Sequence, residues 1–370
     1  MSIVVGTSSE LGIESKHIRD FFETHWKRPI ALSKPEFYQW QFIDIPYQNN
    51  IDHCCIAAED KKILGIMGVN SRSFFVENKK LLGAELTTWV VDTTRRNLGI
   101  GTKMISYLQN KYEIIFGLGI SSDALSIYLR HGFRYAKSIP RYLKVLHWDN
   151  IEPFAQYEPL AKEIAQHWNQ RQSPSGYITE ELNETKINDL FHKYKNNYNL
   201  FSREYEYIKW RYLEHPTFDY HIKIIKSNCE NDGVLLVLRQ DTSDEGLSIL
   251  HIIDLIGDER DINAAMNYSI DFANDKGIPI IDFFCTSSKI GSRFLSSGWF
   301  SINDDPYFKF PHLFHPIELR DPASTSMIYW SNNYLAEFAN LGKLYVTKQD
   351  ADFDRPTLSN FKIKANKNDK

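Results

Sequence analysis

The sequence predicts an α/β fold built as two similar halves, on three observations. Its 370 residues exceed the roughly 250 to 300 at which one hydrophobic core usually stops growing. Short apolar runs of strand type alternate with helix-periodic segments. The order of those elements also occurs twice along the chain. The composition is that of a folded globular protein, 42% apolar and 24% charged, with 14% aromatic residues to build cores and clefts.

In the first half, Cys54 to Ala58 and Ile63 to Asn70 read as strands around the polar turn EDKK, and Arg72 to Glu77 continues after a second short break. Glu85 to Asp92 is the next strand. The stretch Arg96-Asn97-Leu98-Gly99-Ile100-Gly101 follows, and Met104, Ile105 and Leu108 then recur at helical spacing within Thr102 to Lys111. Glu113 to Gly117 returns as a buried strand. Ser122 is placed to cap a second helix, with Ala124, Leu125, Tyr128 and Leu129 on one side and Gly132-Phe133 as its terminator. Ile139 to Trp148 is expected to be the last strand of this half.

The second half answers the first. PEFYQWQFIDIPY is matched by REYEYIKWRYLEHPTFDY, with Trp40 and Trp210 separated by 170 residues, as are Pro46 and Pro216. KKILGIMGV is matched by DGVLLVLRQ, TTWVVD by LHIIDL, and EIIFGLGISSDALSIYLRHGF by PIIDFFCTSSKIGSRFLSSGW. Agreement over several elements argues for duplication. The copies differ at the glycine stretch: the windows opposite it, Asp258 to Asn263 or Ile262 to Asn267, contain no glycine, and the first carries three carboxylates that would repel a phosphate.

Composition narrows the function. A net charge of -4 supplies no basic excess for a nucleic-acid backbone. Cys54, Cys55, Cys229 and Cys285 form no Cys-x-x-Cys pair, and three of them sit in strand-like surroundings, as expected of free thiols in a reducing cytoplasm. No secretory leader pattern opens the sequence and no run of ~18 apolar residues occurs, so a cytoplasmic protein without a membrane span is expected. Asp350, Asp352 and Asp354 alternate like the start of a calcium loop but lack its glycine and terminal glutamate, and no metal is expected.

The glycine stretch lies between a strand and a helix. Two glycines let the backbone approach a ligand, and a turn opening into a helix aims unpaired N–H groups and the positive end of the helix dipole at one point. Gly-x-Gly-x-x-Gly of a dinucleotide fold is absent, since Arg96 and Met104 hold the outer positions. Gly-Lys-Ser/Thr of a phosphate-binding P-loop is absent too, since Gly101 is followed by Thr102. No Gly-x-Ser-x-Gly hydrolase signature is present.

Arg-x-x-Gly-x-Gly in this context, with the downstream Ala124-x-x-x-Tyr128-x-x-x-Gly132-Phe133, resembles the GNAT superfamily of CoA-dependent N-acyltransferases. The resemblance is specific over roughly residues 50 to 148 and weak over 200 to 310. It implies two GNAT-like domains, each a mixed, mostly antiparallel twisted sheet flanked by helices. Acetyl-CoA would lie at a splay around Trp89 and Phe116. Backbone groups of Leu98, Gly99, Ile100, Gly101 and Thr102 would bind its pyrophosphate with Arg96 and Asn97, while Trp89 and Val91 would pair with the pantetheine arm, and Ser121 stands where relatives often keep Asn.

Acyl transfer needs a neutral amine and a proton for the departing thiolate. By resemblance Glu85, eleven residues before Arg96, is the general base, and Tyr128 the proton donor; the alternatives are a solvent-facing strand glutamate and a core aromatic. Phe294 occupies the position of Tyr128 in the second copy. His25, His53 and His215 are further candidate bases. The aromatic group of Trp26, Trp40, Trp210, Tyr212 and Tyr220, with Arg211, suits either an acceptor ring or core packing.

The expected organisation is a GNAT-like domain over 1-150 carrying the donor loop, a connector over 151-199, a degenerate GNAT-like domain over 200-320, an extension over 321-355 and a disordered tail over 356-370. Sequences paired in this way look similar to acyltransferases of bacterial surface-polysaccharide pathways, which implies an amino group on a nucleotide-linked sugar as acceptor. An amino acid, a peptide or another small metabolite amine is the alternative. From another class comes a non-catalytic regulator that binds CoA or a sugar nucleotide. The sequence leaves the acyl chain length and the oligomeric state open.

Overall fold

The protein is described by a computed structural model over residues 2–171, 176–303, 305–321, 323–350, 356–358 and 360–361. Asp352 and Asp354 of the alternating acidic run, and most of the 356–370 tail expected to be disordered, lie outside the described residues. No helix among the described residues is long and apolar enough to cross a membrane.

Two mixed, mostly antiparallel sheets flanked by helices carry the fold. The first runs Val4–Thr7, Cys55–Glu59, Lys62–Val76, Lys79–Val91, Ile114–Leu118, Met327–Ser331, Arg134–Ala136, with Leu200–Phe201 added beside Lys62–Val76. Its parallel pair is Lys79–Val91 with Ile114–Leu118. The second runs Phe300–Ser301, Arg141–Val145, Ile280–Phe284, Ser248–Gly257, Val234–Thr242, His221–Lys226, Ile178–Glu180, and its parallel pair is Ser248–Gly257 with Ile280–Phe284.

Two tight turns set the register of the first sheet. Asp60 and Lys61 (φ 49° and 64°) join Cys55–Glu59 to Lys62–Val76, and Glu77 and Asn78 (φ 46° and 70°) join that strand to Lys79–Val91. Two successive residues at positive φ form the turn whose twist matches paired strands. The break expected near residue 71 is absent: Lys62–Val76 is one continuous strand in which Asn70, Ser71 and Arg72 are buried. Polar residues read as a turn from sequence are here interior groups of a long strand.

A second difference concerns strand partners. Arg141–Val145, expected to close the first half, lies in the second sheet between Ile280–Phe284 and Phe300–Ser301. Met327–Ser331, from the segment expected to be an extension, fills the corresponding place in the first sheet between Ile114–Leu118 and Arg134–Ala136. Neither sheet is therefore built from one half of the chain. Periodicity marks a segment as a strand, but the edge it joins is decided by apolar complementarity at a distance.

Helices Ile100–Lys111 and Ser122–Arg130 cover one face of the first sheet, packing Met104, Ile105, Leu108 and Tyr128 onto Met67, Val69, Ala84 and Leu86. The opposite face meets the rest of the molecule through Phe74, Leu81, Phe116, Phe201, Phe284 and Leu344. Trp40 and Trp210 join the two halves reciprocally. Each indole Nε1 donates to the other's carbonyl, at 2.9 and 2.8 Å, and the rings stack with centroids 5.2 Å apart.

Candidate active site

The parallel ladder between Lys79–Val91 and Ile114–Leu118 runs from the pair Gly83 and Ile114 to the pair Leu86 and Gly117, and there it ends, although the first strand continues to Val91. On its other edge the register slips between Met67 and Val69. Such a bulge bends a strand away from its neighbour. The two strands splay, and a cleft of about 1010 Å³ occupies the gap, walled by Leu86 to Trp89 and Val91 on one side and Leu118 to Ser121 on the other.

At the wide end of this gap sits the glycine stretch. Asp92 Oδ1 accepts bonds from the backbone N–H and hydroxyl of Thr94 at 2.9 and 2.8 Å and opens a short helical turn, Thr93–Arg95. Asn97 and Gly99 take left-handed conformations, φ 71° and 70°, and the helix starts at Ile100 rather than at Thr102. Gly99 caps it without a side-chain bond. The N–H groups of Ile100, Gly101 and Thr102 thus have no acceptor within the helix. Gly101 is needed for space: a Cβ there would lie 2.8 Å from Trp89 Cζ2 and 3.0 Å from Ile127 Cδ1.

Trp89, Val91, Arg96, Asn97, Gly99, Ile100, Gly101, Thr102, Ser121 and Tyr128 all line this one cleft, whereas Leu98 is not among its lining residues and its side chain is 50% exposed. Ser121, not Ser122, caps the helix Ser122–Arg130, its hydroxyl accepting the Ala124 N–H. Tyr128 packs against Trp89 and Phe133, with ring centroids 5.3 and 5.0 Å away. Burial pushes its phenol pKa up, so its proton stays on oxygen at neutral pH. Trp89 Nε1 and Thr87 Oγ1 are buried without a partner among the described residues, and both residues border the cleft.

Glu85 is elsewhere. Ala84 and Leu86 point into the core under the helices, so the residue between them points to the opposite face. There Glu85 is buried, accepting from Arg72 Nη1 at 3.2 Å and Asn70 Nδ2 at 3.5 Å. Asp350 lies 3.6 Å from the same Arg72 nitrogen and is itself held by Arg203. Burial raises the Glu85 pKa, the Arg72 charge opposes that rise and the Asp350 charge adds to it. Glu85 is buried, so the solvent-facing alternative for it is excluded, and it is not among the residues that line the cleft.

The other candidate bases fall outside the cleft lining. His53 is pushed down to about 4 by burial, which leaves it neutral. His215 Nδ1 accepts the N–H groups of Thr217 and Phe218 at 3.1 and 3.0 Å, and the ring packs on Trp40. Trp40, Trp210 and Tyr212 are core residues; of the aromatic group named above, Trp26 reaches the cleft.

Several lining residues had no sequence signal. His312, Leu313, Arg320 and Thr325 come from the segment between Phe300–Ser301 and Met327–Ser331, whose sequence has neither strand nor helix period. Burial pushes His312 down to about 3, so it faces the cleft as a neutral imidazole. Arg95, Arg96, Arg130 and Arg320 give the lining a positive cast. Arg72 and Asp350 were missed because each belongs with Glu85 only through long-range packing. In the second half the position of the glycine stretch is closed. Asp261, fully buried, accepts from Ser227 N, Ser227 Oγ, Asn231 Nδ2 and Gly233 N. Phe294, in the place of Tyr128, stacks on Phe283.

Residues 18–133 match the Acetyltransferase (GNAT) family. Among solved structures, a GCN5-related N-acetyltransferase from Anabaena variabilis aligns with a TM-score of 0.51 at 12% identity, over 89% of this chain and 72% of that one. A conserved protein of unknown function from Enterococcus faecalis, described as a probable N-acyltransferase, aligns with a TM-score of 0.53 at 9% identity, over 90% of this chain and 72% of that one. At such identities the likeness is one of fold. No curated protein matches the sequence.

Proposed function

We propose that this chain is an N-acyltransferase that moves an acetyl group from acetyl-CoA to a primary amine, the acceptor being an amino sugar of a nucleotide-linked surface-polysaccharide precursor. The observation that carries the donor assignment is the splayed cleft ending on unpaired N–H groups at a helix start. A pyrophosphate fits that end, since Ile100, Gly101 and Thr102 offer N–H groups to an anion and Arg96 adds charge. The free strand edge beyond Leu86, with Trp89 and Val91, offers backbone partners to an amide-bearing arm, and the orphaned Trp89 Nε1 and Thr87 Oγ1 offer polar ones. A cytoplasmic setting is part of the proposal, supported by four free cysteines.

When bound, the thioester supplies an acyl carbon and a thiolate leaving group. The chain does the rest. Glu85, whose pKa burial raises, takes the proton that the acceptor nitrogen loses as its bond to the acyl carbon forms. Tyr128, which burial keeps protonated, donates its Oη–H to the sulfur as the carbon–sulfur bond breaks and so stabilises the departing thiolate, although the same burial makes it a weaker acid. Arg72 and Asn70 hold the Glu85 carboxylate in place.

We further infer that the halves derive from one duplicated unit that has exchanged its final strands. The pairs Ala84 with Ile115 and Leu250 with Ile281 occupy the same step of the two parallel ladders, 166 residues apart, in support of this. The two-domain division at about residue 150 is kept as a proposal modified by that exchange.

Thiol release from acetyl-CoA with a panel of amino sugars tests the function. We expect turnover that falls by about 10²- to 10⁴-fold in Glu85→Gln and by at least about tenfold in Tyr128→Phe. Turnover unchanged in both would remove these roles. A thermal shift with acetyl-CoA but no product from any amine would favour a regulatory CoA-binding protein.

A further inference from the structure

Arg72, Arg141 and Arg203 are among the largest fully buried side chains of the described residues. A guanidinium presents five donors, and the edge formed by Nε and Nη2 carries two parallel N–H groups that match a carboxylate. In Arg141 that edge is filled by Asp282, at 3.1 Å from Nε and 2.9 Å from Nη2. In Arg203 Nε bonds Asp254, Nη1 bonds Phe201 O and Asp350, and Nη2 bonds Asp350. In Arg72 Nη1 meets Glu85 and Asp350, while Nε and Nη2 are buried with no partner among the described residues. Leaving such an edge empty inside a protein is costly.

The Arg72 guanidinium also packs against the rings of Phe201 and Tyr207, 4.8 and 5.5 Å from their centroids. Asn70, which donates to Glu85 through Nδ2, has an Oδ1 with no partner among the described residues. Next to Glu85 the chain thus keeps a fork for an anion and a spare oxygen for an N–H group.

We propose that the acceptor carries a carboxylate on the same molecule as its amine, and that Arg72 receives this carboxylate side-on through Nε and Nη2 while Glu85 faces the amine. The inference rests on the acyl-transfer reading; it keeps an amino sugar as acceptor only where that sugar is an acid, and otherwise points to an amino acid. A planar monoanion fits better than a phosphate dianion, because Glu85 and Asp350 already stand within 4 Å of the same guanidinium.

The test compares matched acceptors by thiol release from acetyl-CoA: α-amino acids and 2-amino-2-deoxyuronic acids against their primary amides, with glucosamine 6-phosphate against glucosamine as the phosphate arm. Wild-type protein is expected to favour the acids over the amides by about 10- to 100-fold in kcat/KM, mainly through KM. Arg72→Lys, which keeps the charge but not the fork, is expected to reduce that ratio below about threefold. It should also abolish the thermal shift given by the acid alone. Amides as effective as acids, a preference confined to the phosphate arm, or a ratio unmoved in Arg72→Lys would each overturn the inference. If Arg72→Lys does not fold, the wild-type ratio decides. No thiol release with any amine would overturn the acyl-transfer reading and this inference with it, whereas indiscriminate turnover overturns the inference alone.

Discussion

Replacing Gly101 by alanine should damage donor binding far more than it damages the fold. An added Cβ would sit 2.8 Å from Trp89 Cζ2 and 3.0 Å from Ile127 Cδ1, where carbon atoms prefer ~3.5 to 4.0 Å. The indole must therefore retreat by roughly 0.7 Å or more, and the direction open to it is the cleft it lines. Overpacking of this kind costs about 1–3 kcal/mol, offset by up to about 1 kcal/mol because alanine is the better helix residue. The net loss of about 0–2 kcal/mol leaves a chain of this size folded, with a Tm lower by a few degrees. The donor meets the displaced ring directly. We expect its Kd, from thermal shift or calorimetry with acetyl-CoA, to rise by at least about tenfold, or 1.4 kcal/mol. Gly99→Ala is the control: its Cβ meets nothing within 4 Å, but its φ of 70° strains the loop by about 1 kcal/mol. It should lower Tm with less than a threefold change in Kd, about 0.6 kcal/mol. A Gly101→Ala protein that binds acetyl-CoA as tightly as wild type would refute the placement of the donor against Trp89.

Three further outcomes follow from the charged interior and the seam between halves. Because burial holds Glu85 above its usual 4.5 and a base acts when ionised, kcat/KM should rise with pH through a midpoint above 4.5; a pH profile whose acid limb survives in Glu85→Gln assigns that limb to another group. Asp282 is held well below 3.8 by His251, Lys348 and Arg141 against the opposing effect of burial, so its stabilisation is present above about pH 3.8 and is lost as pH falls through the depressed value. Asp282→Asn should cost about 3–5 kcal/mol in urea unfolding at pH 7, and a cost that does not shrink on acidification would count against the pairing. Trp210→Phe removes one indole donor and part of a stacked pair, and should lower stability by about 1–3 kcal/mol while leaving acetyl-CoA affinity within about twofold, checked by unfolding and calorimetry on one preparation.

The cleft residues proposed for the donor were legible as a group in the sequence because they are local. Arg96 to Thr102 must form a loop and helix start whatever lies around it, since the two glycines permit left-handed φ and close approach and the following residues carry a helical period. Tyr128 was legible for a similar reason, four residues from both Ala124 and Gly132 on a helix whose apolar side is set by its own spacing. Where sequence reading failed, polarity misled it: the step at Ser71, between Asn70 and Arg72, looked like a break, because a buried charge in mid-strand is stable only with partners that come from residues far along the chain.

The sequence by itself determined that strands and helices alternate and that a glycine-containing turn opens into a helix after a strand, both of which depend on interactions within a few residues. Only the tertiary structure decided that Arg141–Val145 and Met327–Ser331 cross to each other's sheets. It alone set Glu85 among Arg72, Asp350 and Arg203 on the face away from the donor cleft, and it brought His312 and Arg320 to that cleft from the far end of the chain. Strand pairing and burial of charge are settled by which surfaces meet, and no local period encodes that choice.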